Sequence, residues 1–193
     1  MTDNNNTFST AINARIDAAI KADKMSESNR DKLRNFAKEC NNSEKLVAFL
    51  ANAQVDVRVF ENDVYEIDKL RNLSRFAVDE IAARDFNEMN RCVFLTALAF
   101  ERADIAFTRE DATHACSSHY KIKDAKKRAL TAQNAKQVAD STVASQHRSS
   151  LKALEALNIL RSINKSEFRM NLQNDATIKL AAKFNIDLSK AAE

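Results

Sequence analysis

The 193 residues carry a formal net charge of only +3 and include no glycine and no proline, where average usage supplies roughly 13 and about 10. That absence excludes phosphate loops, dinucleotide fingerprints and nucleophile elbows, which need glycine at fixed positions. Hairpins and bulges lean on these residues while helix interiors avoid them, so the composition predicts an all-α helical bundle.

After a polar leader, Ile12, Ile16 and Ile20 recur every fourth residue and predict a helix from about Ser9 to Asp23. Ser28 and Asp31 form a capping-box-like start for Leu33, Phe36, Ala37 and Cys40, and Asn41-Asn42 ends that helix. Ser43-Glu44 opens a short helix with Leu46, Val47, Phe49 and Leu50. Val55 to Phe60 alternates with period two and permits a hairpin back through Val64 to Ile67. The stripe Phe60, Val64, Ile67, Leu70, Leu73, Ala77 and Ile81 favours a helix there, continuing to about Arg84. Asp85 to about Phe107 is apolar nearly all round and is expected to be the core helix. Its greasiest run, Cys92 to Phe100, is half the length of a membrane span, so no membrane partner is expected.

Thr108 and Asp111 mark a second capping-box-like start. A basic, alanine-rich helix is expected from Lys121 to about Ala139, followed by a Ser/Thr-rich break and a new stripe of Leu151, Leu154 and Leu157. The tail from Asn174 carries Ile178, Leu180, Ala181, Phe184, Ile186 and Leu188. Charge divides unevenly: residues 112–193 hold 14 Lys/Arg against 7 Asp/Glu, and residues 1–111 hold 16 against 20. The basic part therefore suits an anionic partner, nucleic acid first. Two regions are expected, a bundle over 1–107 for oligomerisation or partner binding and a basic helical region over 108–193.

Within the basic region, Ala135 to Ala139 and Ser145 to Leu160 resemble a winged helix-turn-helix DNA-binding domain. The carriers are the polar run Ser145-Gln146-His147-Arg148-Ser149, the spine Leu151, Leu154 and Leu157, and the corner Asn158-Ile159-Leu160, where asparagine stands at the usual glycine. The resemblance implies that Val138-Ala139 sits on a supporting helix, that Ser145, Gln146, Arg148 and Ser149 read base edges of double-stranded DNA, and that residues 161–170 form a β wing. It assigns Lys136, Lys152, Arg161, Lys165 and Arg169 to phosphates. Residues 108–130 offer a second helix-turn-helix pattern, with Lys121, Lys123, Lys126, Lys127 and Arg128 on its second helix.

Other chemistry is sparse. His114, Cys116 and His119 diverge on one helix by about 200° per two residues and do not converge on a metal. Cys116 with His119 lacks an orienting third group, so neither cofactor nor catalysis is expected. Cys40, Cys92 and Cys116 are odd in number and far apart, which suits free thiols in a reducing, cytoplasmic setting, and the leader lacks a secretory pattern. The alternative class is a non-catalytic structural or interaction protein, a virion component or inhibitor, whose amphipathic helices pack on copies of the chain or on another protein. An asparagine- and alanine-rich chain of this kind also suits a phage origin.

Overall fold

A computed structural model describes residues 7–21, 25–134 and 138–188. The chain is mostly helical: α1 (Thr7–Lys21), α2 (Glu27–Asn42), α3 (Glu44–Asn52), α4 (Val64–Ala77) and α5 (Glu88–Arg102) come first. They are followed by β1 (Phe107–Thr108), α6 (Arg109–His114), α7 (Ala125–Asn134), α8 (Asp140–Ala156), β2 (Leu160–Ser162), β3 (Glu167–Met170) and α9 (Asp175–Lys183). No helix among the described residues is long and apolar enough to cross a membrane.

The expected core helix is α5. Cys92, Val93, Phe94, Leu95, Ala97, Leu98 and Phe100 are all buried along it, and α6, α7, α8 and the sheet pack around it. It ends at Arg102 rather than Phe107, because Phe107 leaves the helix, enters β1 and meets Phe100 edge-on at 5.8 Å. The sheet is antiparallel in the order β1-β3-β2, with Phe107 opposite Phe168, Leu160 opposite Met170 and Arg161 opposite Arg169. Paired residues share a face, so Phe107, Leu160, Phe168 and Met170 are buried while Arg161 and Arg169 lie on the outer side. One continuous core takes residues from α1 through α9, and the expected boundary at 107/108 falls inside β1.

Segment 55–67 is neither a hairpin nor an unbroken helix. Asp56 accepts from the Arg58 amide at 2.9 Å and starts a 3-10 turn, Val57–Glu61, and Asp63 accepts from the Tyr65 amide at 2.8 Å and starts α4. Two aspartate caps thus break one apolar stripe into two pieces. Phe60, Val64, Ile67, Leu70 and Leu73 are still buried. Ser26, not Ser28, caps α2, accepting from Asn29. Ser43 caps α3 as expected, and Thr108 with Asp111 forms the full reciprocal box, at 3.1 and 2.9 Å.

Five helices stop in the same way. After α3, α4, α5, α8 and α9 a single residue turns left-handed: Gln54, Asp79, Asp104, Asn158 and Asn185, with φ between 54° and 64°. In each case the next amide reaches back five residues, as Val55 to Leu50, Ile105 to Phe100, Ile159 to Leu154 and Ile186 to Ala181. These are Schellman closures, usually made by glycine. Asn and Asp tolerate this backbone better than other side chains do, and other residues lose roughly 1–2 kcal/mol there. The Asn158 side chain adds a bond of 2.7 Å from its amide nitrogen to the Ala53 carbonyl at the end of α3.

Gln54 is exposed and Asn158 is tied, so glycine has opposite consequences at the two stops. Gln54→Gly is expected to stabilise by up to about 1 kcal/mol, after the entropy gained by the unfolded chain is counted. Asn158→Gly should be neutral or destabilising, because the Ala53 tie is lost. Urea unfolding of both variants checks this; equal gains at both positions would contradict the role given to the tie.

Candidate nucleic-acid interface

Helix α8 is longer at its start than the Ser/Thr-rich sequence suggests. Ser145 donates from Oγ to the Ser141 carbonyl at 3.0 Å, so its hydroxyl is satisfied inside the helix instead of breaking it. Val138 and Ala139 accordingly precede α8, with the Val138 amide held by the Cys116 carbonyl at 2.9 Å, and do not form a supporting helix. The helix that packs beside α8 from within the basic half is α6. Leu151, Ala153, Leu154 and Leu157 fix the buried face, and Ser141, Ser145 and Arg148 stand exposed one turn apart on the other, with Lys152 half-buried beyond them.

Helix α4 covers a third side of α8. Lys69 on α4 is only 5% exposed and donates to Oε1 of Gln146 at 2.8 Å. Ser149, three residues along, is buried. Gln146 and Ser149 are therefore committed to the fold rather than open to a base edge. Arg148 and Lys152 lie near Glu66 of α4, whose carboxyl burial holds above its ordinary range against the pull of these two cations. Lys152 also pairs with Glu155 at 2.7 Å.

The expected wing is the hairpin β2–β3. Arg161 and Lys165 are exposed and form no ion pair among the described residues. Arg169 faces Arg161 across the strands, but it is paired with Asp104 at 2.9 Å and with Glu101 at 3.8 Å, so its charge is spent on the end of α5. The tip is tightly bonded: Asn164 Oδ1 accepts from the Ser166 and Glu167 amides, each at 3.0 Å, and the Ile163 amide donates to the Glu167 carbonyl at 3.0 Å. Lys136 lies outside the described residues.

The second basic pattern does not form one recognition helix. A 3-10 turn, His119–Lys121, a bend and α7 carry it, with Lys121, Lys123 and Lys126 exposed. Lys127 instead folds inward to Asp111 at 2.9 Å and Arg128 donates to the Ile122 carbonyl. His114 is engaged by Ser118 at 2.8 Å, and Cys116 is buried, its thiol pushed up by the hydrogen bond with Cys92 and by burial. Among the described residues no group of three or more His, Cys, Asp or Glu side chains is arranged to hold a metal.

Sequence reasoning missed Lys69, because a lysine at one position of an amphipathic stripe reads as its solvated edge. Comparison of the chain with family models, with curated proteins and with solved structures finds no match.

Lys69 makes the α4–α8 contact sensitive to pH. Burial lowers its ammonium to about 8, Asp68 and Cys116 oppose that shift, and Lys32 adds to it. Between about pH 8 and pH 10.4, the ordinary lysine value, the unfolded chain keeps a proton that the folded protein has released, so Lys69 makes stability rise with pH. Below that window its burial is a constant cost. The stability of Lys69→Met relative to the parent chain should therefore fall from pH 8 to pH 10 in urea titrations, whichever of the two is the more stable at pH 8. A difference that stays constant would show that Lys69 does not titrate in this range.

Proposed function

We propose that this protein binds double-stranded DNA through the β2–β3 hairpin and the exposed face of α8, without catalysis. The observation that carries the reading is the pair of exposed cations, Arg161 and Lys165, on a hairpin directly following a helix with a polar outer face. The order α5, β1, α6, α8, β2, β3 with strands in the order β1-β3-β2 resembles a winged helix with α7 added between its second and third helices, which supports this reading. Arg161 and Lys165 would hold phosphates, and Lys121, Lys123 and Lys126 would extend the positive surface. Arg148 and Ser145 are the base-reading candidates. Gln146 and Ser149 are not, and Arg169 positions the hairpin instead of contacting DNA.

A second reading, a protein-interaction module, draws on a groove of about 660 Å³ between α1 and the 3-10 turn, lined by Ala11, Ala14, Ala18, Met25, Val57 and Phe60. The two readings separate cleanly, since the groove contains none of the hairpin residues.

Fluorescence anisotropy against a mixed-sequence duplex at low and near-physiological salt tests the proposal. Binding should weaken steeply with salt, and Arg161→Ala with Lys165→Ala should flatten the log–log slope by about 2. Arg148→Ala should cost on the order of 1–3 kcal/mol at a preferred site and relax its sequence preference. No binding at low salt would discard the DNA reading and leave the groove as the surface to pursue.

A further inference from the structure

Ile163 sits at the tip of the β2–β3 hairpin with 54% of its surface exposed. Turn positions favour Gly, Asn, Asp and Ser, and the neighbouring tip residues, Ser162, Asn164 and Ser166, follow that rule. A large apolar side chain between them stays more than half exposed, so packing gives it little return. Departures of this kind are expected at functional sites. Other exposed apolar side chains have company or ordinary settings: Tyr65 lies under Lys32 at 4.7 Å, Tyr120 near Lys121 at 5.8 Å, and Ile20 and Ile178 are on helix or helix-flank surfaces.

The tip is also rigid. Ser162 Oγ donates to the Asn164 carbonyl at 2.5 Å, and the Asn164 side chain both accepts from residues 166 and 167 and donates to Glu167 Oε2 at 2.5 Å. Ile163 is thus presented in a fixed position between two exposed cations, Arg161 and Lys165, with little ordering left to occur on binding. Apolar side chains that enter between base steps from the minor groove unstack them and kink the duplex, while flanking cations hold the phosphates on either side.

We propose that Ile163 is an apolar wedge that enters the base stack of bound duplex DNA from the minor groove and bends it. This rests on the DNA-binding reading above and adds a deformation of the DNA to it. Pyrimidine–purine steps unstack most readily, so TA-containing sites are the preferred place of insertion.

The test is energy transfer between dyes at the two ends of a short A·T-rich duplex with central TA steps, with binding followed in parallel by anisotropy. The parent protein should raise the transfer efficiency at saturation. Ile163→Leu should bend the duplex like the parent, whereas Ile163→Ser should still bind, on the order of tenfold more weakly, and leave the duplex straight. The exposed position keeps both variants folded, which circular dichroism checks. Binding without bending by the parent, or equal bending by Ile163→Ser, would overturn the wedge and leave the DNA-binding reading standing. No binding to any duplex would overturn both, and Ile163-dependent sedimentation with anionic phospholipid vesicles in that case would assign the tip to a membrane surface.

Discussion

Ending a helix without glycine is the constraint on which the rest of this structure depends. Each of five helices needs a left-handed residue to let the chain turn and to satisfy its last carbonyls, and each obtains it from Asn, Asp or Gln. The substitution has a structural use, because glycine has no side chain and these residues do. Asp79 pairs with Lys183 of α9, Asp104 with Arg169 of β3, and Asn158 reaches the carbonyl of Ala53. Three helix stops are therefore also ties between elements distant in sequence.

Those ties set the hairpin. Asn158 turns the chain out of α8 into β2, and Asp104 turns it out of α5 toward β1 while holding Arg169 on β3. Both ends of the sheet are thus referenced to the two helices that carry the core. Asn158 further ties that corner to α3, and Met170 at the far end of β3 donates its amide to Glu101 at 2.9 Å. The polar contact between Lys69 and Gln146 fixes the opposite side of α8. These contacts leave the outer strip of α8 and the hairpin tip exposed.

Much of this was legible in the sequence because its signals are local. The missing breakers gave helices, the apolar run Cys92 to Phe100 gave the core helix, and Thr108 with Asp111 gave a helix start that both side chains complete. The hairpin after Asn158 followed from a resemblance that rests on short-range pattern. Failures occurred where a choice depends on a partner far along the chain or on which cap wins. Asp56 and Asp63 each cap a turn, so a continuous apolar stripe became two elements. Ser141 and Ser145 suggest a break, yet the Ser145 hydroxyl returns to its own helix. Gln146 and Ser149 looked exposed because nothing near them in sequence announces α4, and Arg169 looked free because Asp104 lies in another element.

The strand order carries a consequence for how the protein assembles. Helices α1 and α2 pack directly on each other, whereas β1 must wait for β3, about sixty residues later, before either has its full set of backbone partners. The central strand is the last of the three to be synthesised. Until β3 docks, Phe107 has no Phe168 opposite it and the end of α5 lacks Arg169. The sheet therefore closes only once the chain through Met170 is available, and the surface it carries is completed with it.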